Sequence, residues 1–379
     1  MSLIVDEHRQ YLSDHVRVAA FRQAIHEVVK PGDVVVDLGA GTGILGLLAC
    51  QAGAARVYAI ESGGMIEVAR SLARANGFQN RVTFIPGHSP HVEVPEKADV
   101  VVADQIGRFG FEAGVVEFFA DARRRFLKPS GTLIPSRIEM TVAPVEHLER
   151  WAEVEFWRHN ATGFDLGIVR EWAINTGYPV TYQPEHLLGP SGVGAVLDLP
   201  ILEPGAVSIH AELPIYRAGT LHGIGGWFAA RLSAHSWMTN GPLSDQRINR
   251  QNVLFPINQA LSVVEGDRVV VDMTILPLDV MVTWRVTVTS ADGQSKGRFV
   301  HSTLKGMLTT REDMRRTHPD FVPHLVPRGQ ARMTVLSLCD GQHTLAAIEH
   351  EVYRRHPALF QSVAEAATFV AEVVTRYAR

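Results

Sequence analysis

One short segment, VVVDLGAGTGILG at residues 34–46, constrains the fold of this chain most strongly. Its apolar run is typical of a parallel strand covered on both faces, and a helix-forming run follows. Between them stand Gly39, Gly41 and Gly43, whose lack of a Cβ atom lets a backbone approach a ligand closely. The spacing differs from the G-x-G-x-x-G fingerprint of dinucleotide sites, and without a following lysine a P-loop is excluded. The segment therefore predicts a strand, a ligand-binding glycine loop and a helix.

Two acidic residues near this loop indicate the kind of ligand. Asp37, inside the strand, offers a carboxylate that would repel a pyrophosphate and attract an amino-acid ammonium group. Glu61 stands 24 residues further on, at the end of the next predicted strand, where a carboxylate can accept hydrogen bonds from both hydroxyls of a ribose. S-adenosylmethionine is a nucleoside with an amino-acid tail in place of phosphates, and we predict it as the cofactor. The alternative is a plain glycine turn with an incidental acid.

Strands and helices alternate through residues 1–135. Further strands are predicted at RVTFIPG, ADVVVAD and GTLIPSR, and further helices at GMIEVARSLARANG, closed by Gly77, and at EFFADARRRFLKPSG. This rhythm predicts an α/β, Rossmann-like domain with an open parallel sheet and helices on both faces.

From residue 136 to about residue 310 the apolar residues recur mostly at every second position, as in RIEMTVAPV and MVTWRVTVTS. This period predicts an antiparallel β-barrel domain, interrupted near residues 166–190 by a helical or loop segment. Residues 311–330 are charged, carry three prolines and are interpreted as a linker. Residues 331–379 have apolar stripes at helical spacing and predict a small helical module.

The composition narrows the class of protein. Apolar residues make up 46% and charged residues 20%, as in ordinary globular proteins, and the net charge is −4 without a long basic run. We therefore expect no nucleic-acid and no membrane partner. The two cysteines and 17 histidines show no ligand spacing, so we expect no metal site. The polar start MSLIVDEHRQ does not resemble a secretory signal, and cytoplasmic localisation is expected.

A second acidic pair follows the fourth predicted strand. The apolar run ends at Asp104, and Glu112 follows after a loop with two glycines. Two carboxylates at this spacing can hold one planar, always-charged guanidinium by charge-assisted hydrogen bonds. The alternative is that Asp104 caps the loop and Glu112 begins the next helix, where the helix dipole favours an acid.

The sequence resembles the protein arginine methyltransferases over roughly residues 8–310. VVVDLGAGTGILGLLACQAGAARVYAIE is similar to the first two motifs of that family, and HRQYLSDHVRVAAFRQAI to its helix ending in D-x-x-R. FWRHNATGFDLG and LFPINQALSVVEGD are similar to barrel segments of the family. The resemblance implies a methyltransferase domain, a β-barrel, and a helical arm near 166–190 through which the family forms head-to-tail dimers. We therefore expect a homodimer.

The resemblance also implies roles for individual residues. Asp104 and Glu112 would bind and orient the acceptor. The implied cofactor residues are Gly39, Gly41 and Gly43 for the loop, Arg17 and Asp37 for the amino-acid tail, Glu61 for the ribose, and His88 and Ser89 for the adenine. The expected activity is S-adenosylmethionine-dependent N-methylation of a guanidino nitrogen in a peptide, protein or small molecule, with S-adenosylhomocysteine as product.

Three features depart from the family pattern. Only seven residues precede His8, so we expect little of the family's N-terminal aromatic helix. The first acid of the acceptor loop is Asp104, and Glu112 follows after eight residues where the family has two glutamates nine apart. Asn249 and Arg250 stand where the family has His and Trp. Arg250 would compete with a cationic substrate or bind a substrate carboxylate, or it is simply a surface arginine.

The departures leave other functions open. One is O- or N-methylation of a small metabolite in a biosynthetic pathway, and another is a peptide-binding scaffold with a degenerate methyltransferase core.

The C-terminal segment LSLCDGQHTLAAIEHEVYRRHP resembles the small winged-helix modules related to PqqD, which bind leader peptides. That resemblance rests on Leu336, Leu338, Cys339, Asp340, Gly341 and Ile348. Its alternative is a helical appendage that packs on the barrel or on a partner chain.

Overall fold

The computed structural model describes residues 4–159, 161–308, 311–316 and 318–378. The chain forms two compact units, residues 1–307 and residues 308–379, and each has a hydrophobic core of its own. Within the described ranges, no helix combines the length and the apolar character that crossing a bilayer requires.

The first unit begins with a five-stranded parallel sheet in the order β3-β2-β1-β4-β5. Its strands are β1 (Val34–Leu38), β2 (Arg56–Glu61), β3 (Val82–Pro86), β4 (Ala98–Ala103) and β5 (Leu127–Ile134). The central strand β1 is buried along its whole length, which explains its continuous apolar run. The predicted α/β fold class is confirmed.

Five helices accompany this sheet: α1 (Ile4–Ser13), α2 (His15–Val28), α3 (Ile44–Ala52), α4 (Met65–Ala75) and α5 (Val115–Arg125). Asp14 is the N-cap of α2, and its side chain accepts a hydrogen bond from the backbone N–H of Arg17. The prediction that the last of these helices runs on to Pro129 is wrong. That proline lies in β5, at the edge of the sheet, where a strand tolerates a residue without an N–H.

Two antiparallel sheets follow. The first, ordered β7-β12-β10-β6-β8 with β11 paired to β10, contains β6 (Arg137–Val145), β7 (Tyr178–Val180), β8 (Gly192–Asp198), β10 (Gly219–Arg231), β11 (Trp237–Thr239) and β12 (Asn252–Val263). The second, ordered β15-β14-β13-β9, contains β9 (Val207–Pro214), β13 (Arg268–Leu276), β14 (Met281–Thr289) and β15 (Ser295–Ser302). Alternate residues of β13 and β14 are buried, as the period of two predicts. The predicted antiparallel, barrel-like domain is confirmed.

The interruption of the antiparallel sheets is only partly helical. It contains α6 (Leu148–Glu155), α7 (Arg170–Ala173) and two short helical turns at residues 167–169 and 184–186. Three apolar side chains of this segment, Leu148, Phe164 and Ile168, are more than 70% exposed. After the last strand, a single turn of helix, α8 (Thr303–Gly306), ends the first unit.

The second unit is helical, as predicted. Its helices are α9 (Arg311–Arg316), α10 (Pro327–Leu338), α11 (Leu345–Arg355) and α12 (Val363–Tyr377). The last three surround a small core that includes Val335, Val352 and Phe369. Helix α10 begins inside the segment interpreted as a linker, with Pro327 in the first turn where its missing N–H costs nothing. No strand is assigned in the part of this unit that the structure describes.

Candidate active site

The parallel sheet has a crevice between β1 and β4, where the chain changes the side of the sheet on which it adds strands. The chain passes from β1 to β2 and β3 on one side, and then returns to β4 and β5 on the other. In open α/β sheets, ligands bind at this point, beyond the carboxyl ends of the strands. Gly39 follows β1, Asp104 follows β4, and both line a cavity of about 530 Å³. This volume lies within the range of small-molecule sites.

The glycine loop needs glycine for conformation and for space. Gly39 and Gly41 have φ angles of 63° and 53°, in the left-handed region that other residues avoid. A Cβ atom on Gly41 would lie 2.4 Å from Cε1 of His8, and one on Gly39 would lie 1.9 Å from Nε2 of Gln105. The loop therefore tolerates no side chain at Gly39 or Gly41, because Gln105 and His8 pack directly against them.

Glu61 fixes the shape of this loop from the end of β2. Its Oε2 accepts a hydrogen bond from the backbone N–H of Gly41 at 2.9 Å, and its Oε1 accepts one from that of Gly63 at 2.6 Å. The side chain is not among those that line the cavity. In this structure Glu61 thus holds the glycine loop, which lines the cavity, in its conformation.

Asp37 lies beneath the loop and is fully buried. Its Oδ2 accepts a hydrogen bond from the backbone N–H of Gly46 at 2.8 Å, whereas its Oδ1 has no hydrogen-bond partner among the described residues. Burial raises the pKa of Asp37 to about 7, and the Gly46 N–H opposes this shift only in part. This carboxyl stabilises the first turn of α3 and does not line the cavity.

Asp104 lies between two arginines at the wall of the cavity. Its Oδ2 accepts from Nε of Arg17 at 2.5 Å and from Nη2 of Arg250 at 2.8 Å, and its Oδ1 accepts from Nη1 of Arg250 at 3.2 Å. Only 8% of the Asp104 side chain is exposed. Burial opposes ionisation, but Arg250 and Arg17 outweigh it and hold the pKa of this carboxyl below its ordinary value. The cluster of three carries a net charge of about +1 because all three groups are ionised.

Glu112 has a different environment from Asp104. Both of its oxygens accept from the backbone N–H of Phe109 at 3.0 Å, and Oε2 also accepts from that of Phe111 at 3.3 Å. Burial nevertheless outweighs these donors and raises the pKa of the Glu112 carboxyl. Glu112 therefore organises the acceptor loop, and it is Asp104 that lines the cavity.

The barrel loop that carries Asn249 and Arg250 is fastened from two sides. The backbone N–H of Asn249 donates to Oδ2 of Asp14 at 2.7 Å. Nδ2 of Asn240 donates to the carbonyl oxygens of Arg108 and Gln251 at 2.8 and 2.9 Å, which joins the loop after β4 to the barrel. A second cavity of about 380 Å³ also borders Asn249 and Arg250.

Helix α1 supplies lining residues to which the sequence analysis gave no role. They are Glu7, His8, Gln10, Tyr11 and Leu12. The Tyr11 hydroxyl donates to Oε1 of Glu7 at 2.8 Å, and Cζ of Arg17 lies 5.7 Å from the Tyr11 ring centroid. An aromatic ring one turn before the D-x-x-R pattern was the sequence signal for this contact.

The structure brings half of the predicted site residues together. Those that line the larger cavity are Arg17, Gly39, Gly41, Asp104, Asn249 and Arg250. Those that lie outside its lining are Asp37, Gly43, Glu61, His88, Ser89 and Glu112. His88 is exposed, and Ser89 is buried with its carbonyl oxygen accepting from Arg125. In the described ranges, no group of three or more His, Cys, Asp or Glu side chains is placed to hold a metal ion.

Two family models match the chain. Residues 15–154 match ribosomal protein L11 methyltransferase (PrmA), and residues 136–289 match the arginine methyltransferase oligomerization subdomain. The second match begins where the antiparallel strands begin, and the first extends past that point, so that the two overlap at residues 136–154.

Curated relatives carry names of the same kind. The chain is 28% identical over 279 residues to protein arginine N-methyltransferase 1 of Oryza sativa subsp. japonica, covering 71% of this chain and 72% of the relative. It is 30% identical over 254 residues to the histone-arginine methyltransferase CARMER of Drosophila yakuba, covering 63% of this chain. The chain spans about half of that relative's length, 48%.

Solved structures share the fold. Arabidopsis thaliana protein arginine methyltransferase 10 superposes with a TM-score of 0.67 at 22% identity, over 78% of this chain and 97% of that one. A chain of the Trypanosoma brucei PRMT1 enzyme-prozyme heterotetrameric complex with AdoHcy superposes with a TM-score of 0.70 at 20% identity, over the same shares of the two chains. The chain is therefore related in sequence and in fold to the protein arginine methyltransferases, as its motifs predicted.

Proposed function

We propose that this chain is an S-adenosylmethionine-dependent methyltransferase that methylates a guanidino nitrogen. One observation carries the proposal: a cavity at the reversal point of the sheet is lined by Gly39 and Gly41 of the glycine loop and by the Asp104 carboxylate. The names of the curated relatives support the same activity.

The lining residues fit the proposed cofactor. Gly39 and Gly41 line the cavity without side chains, and Arg17 places a guanidinium beside the loop. Arg17 would hold the carboxylate of the amino-acid tail, a task that suits a planar fork of donors. When bound, S-adenosylmethionine supplies a methyl group activated by a positively charged sulfur.

Asp104 would bind the methyl acceptor. Its pKa is held below the ordinary range, so it is ionised at neutral pH and can bind and orient a guanidinium. In methyl transfer a nitrogen–carbon bond forms, the carbon–sulfur bond breaks, and the nitrogen then loses a proton to water. Positioning supplies much of the rate of such an in-line displacement, and the carboxylate also stabilises positive charge on the guanidine. Glu112 would keep the loop beneath Asp104 in shape.

Isothermal titration with S-adenosylhomocysteine tests the cofactor assignment. We expect binding, and we expect Arg17→Ala to weaken it at least tenfold. Mass spectrometry of reactions with arginine compounds then tests the acceptor class, with +14 Da on a guanidine as the expected product. Absence of cofactor binding, or a methylated product without a modified guanidine, would contradict the proposal.

We also propose that the chain forms a homodimer, and that its contact surface includes residues 148–165 as well as the start of the arm predicted near residues 166–190. The oligomerization subdomain match and the exposed side chains of Leu148, Phe164 and Ile168 support this surface. Light scattering after size exclusion should give twice the mass of one chain, and Ile168→Glu should shift it toward the monomer. Leu243→Glu, at another exposed apolar residue, is the matched control. An unchanged mass in Ile168→Glu would remove this surface from the proposal.

A second candidate role concerns the C-terminal unit. We propose that it binds a peptide, as the PqqD-like interpretation implies. In support, Met333 and Leu336 are exposed one turn apart on α10, although the unit has a complete core of its own. A fluorescent leader-type peptide should bind the whole chain and lose affinity in Met333→Glu. An affinity in Met333→Glu and in the truncated chain 1–307 that equals that of the whole chain would assign the unit no such role.

A further inference from the structure

We infer that the acceptor is a small zwitterion that carries a guanidino group and a carboxylate, and that Arg250 selects it. This inference rests on the proposed function and narrows its substrate class. Arg250 forms a two-point contact with Asp104, at 2.8 and 3.2 Å, and its Nη1 also donates to the carbonyl oxygen of Gly107 at 3.3 Å. A guanidinium of the protein therefore occupies the carboxylate that a substrate guanidinium would need.

A purely cationic acceptor would meet an unfavourable balance of charge. It could reach Asp104 only by displacing Arg250, whose side chain is 14% exposed. The displaced guanidinium would then be a desolvated charge without its carboxylate, which is costly in a protein interior. The second arginine on Asp104, Arg17, adds to the repulsion of an incoming cation.

An acceptor with both charges would exchange partners without loss. Its guanidinium would take the place of Arg250 on Asp104, and its carboxylate would bind the released fork of Arg250. One charge-assisted pair is then replaced by two, and no charge is left alone. The stack of Cζ of Arg250 over the Phe228 ring, with 5.8 Å to the centroid, would restrain the guanidinium during this exchange.

The second cavity gives the carboxylate end a polar environment. It borders the same Arg250, and its other walls include Thr181, Asn240, Arg247 and Asn252. Arg250 therefore stands between the cavity that Asp104 lines and a pocket with a second guanidinium. A carboxylate on the far side of Arg250 would meet the positive charge of Arg247, and the Asp14 carboxylate that also borders this cavity already accepts from two backbone N–H groups.

The experiment compares arginine with agmatine, which keeps the guanidine and lacks the carboxylate. For the whole chain, we expect kcat/KM for arginine to exceed that for agmatine at least tenfold. In Arg250→Gln this ratio should fall to about one, and Arg250→Lys should lie between, because it keeps the charge without the fork. Arg285→Gln removes an equal charge from an exposed position of β14 that borders neither cavity, and it should keep the ratio of the unaltered chain.

Several outcomes would overturn the inference. A preference for agmatine or for a peptide with an internal arginine would do so, and so would an unchanged ratio in Arg250→Gln. Binding of S-adenosylhomocysteine to each variant, measured in parallel, shows that the variant is folded. If the cofactor binds and only peptides are methylated, the proposed function stands and this inference fails. If no guanidine is methylated and the cofactor does not bind, the proposed function fails with it.

Discussion

The carboxylate of Asp14 accepts a hydrogen bond from the backbone N–H of Asn249 at 2.7 Å, across 235 residues of sequence. The other oxygen of the same carboxylate caps α2 by accepting from the backbone N–H of Arg17 at 3.0 Å. One buried side chain thus fixes the position of Arg17 on the cofactor side and of the loop that carries Arg250 on the acceptor side.

Replacing Asp14 tests this bridge. Asp14→Ala should lower the free energy of unfolding by about 1–3 kcal/mol, because a helix cap and a buried hydrogen bond are both lost. Asp14→Ser, whose single oxygen can still cap the helix, should recover part of the stability while leaving the Asn249 N–H without its acceptor. Urea unfolding measures both. Equal losses in the two variants would show that the cap contributes nothing, and an unchanged stability in Asp14→Ser would show the same of the contact to the barrel loop.

The buried ion pairs of Asp104 make a second prediction. Asp104→Asn should destabilise the protein by about 3–5 kcal/mol, because it leaves two guanidinium groups desolvated without their carboxylate. Asp6→Asn, at an exposed pair with Arg9, should leave the unfolding midpoint nearly unchanged. A similar midpoint for both variants would mean that the Asp104 cluster is hydrated in solution.

Glu61 yields a prediction about cofactor affinity. Glu61→Gln should weaken S-adenosylhomocysteine binding by roughly tenfold or more, because the amide turns an NH₂ group toward the N–H of Gly41 or Gly63 and displaces the loop. Glu67→Gln, on the exposed face of α4, is the isosteric control. Titration calorimetry gives both constants, and unchanged affinity in Glu61→Gln would remove this residue from the site.

Asp37 gives a prediction about pH. Its pKa in the folded protein is about 7 against the ordinary value of 3.8, so in this window the folded chain keeps a proton that the unfolded chain has lost. The contribution of Asp37 to the free energy of unfolding therefore falls as the pH rises from about 4 to 7. The stability of Asp37→Asn relative to the unaltered protein should rise across this range, as urea unfolding at three pH values will show.

Asp99 is the control for that experiment. Burial opposes its ionisation, but Lys128 and the backbone N–H of Val34 lower its pKa. Folded and unfolded states therefore both hold it ionised above about pH 5. The stability difference for Asp99→Asn should be flat between pH 5 and 7, and a flat difference for Asp37→Asn as well would show that Asp37 has an ordinary pKa.

His147 and His222 should take up a proton only below the ordinary pKa of histidine. Nδ1 of His222 accepts from the backbone N–H of His147 at 2.9 Å, and Nδ1 of His147 accepts from that of Arg150 at 3.3 Å. Burial lowers the pKa of both rings, and Glu146 opposes this shift at His222 only in part. On acidification these two histidines take up protons at a higher pH in the unfolded chain than in the folded one. The free energy of unfolding therefore falls as the pH drops below about 6.5.

Nuclear magnetic resonance of labelled histidines measures these titrations. We expect His147 and His222 to titrate below the ordinary value of 6.5. The exposed His210, whose hydrogen bond to Asp272 raises its pKa, should titrate above it and serves as an internal reference. Ordinary midpoints for the two barrel histidines would indicate that water reaches their Nδ1 atoms.

The sequence predicted those features that depend on neighbours along the chain. The strand, glycine loop and helix around Gly39 and Gly41 follow from local rules on burial and conformation, and the period of two identified the antiparallel strands. The interpretation of residues 311–330 as a linker missed the start of α10, because the prolines suggested an irregular segment, whereas Pro327 occupies the first helical turn, which accepts it.

The partners of the site residues could not be predicted from spacing. Asp104 and Arg250 are 146 residues apart, and only the packing of the barrel against the parallel sheet makes them an ion pair. The orientation of Glu112 depends on how the loop closes, since its oxygens meet the N–H groups of Phe109 and Phe111 once the loop folds back. The pair of acids was visible in the sequence, but its division into one cavity residue and one loop residue was not.

The Asp14 bridge limits how this scaffold can be re-engineered. Grafting residues 247–252 from a relative would change the barrel loop and, through the shared carboxylate, the position of the helix that carries Arg17. A designer who wishes to alter the acceptor while keeping the cofactor site must therefore transplant both ends of the contact together. The same linkage makes compensating changes near the start of the chain the first place to look when substitutions accumulate in that loop.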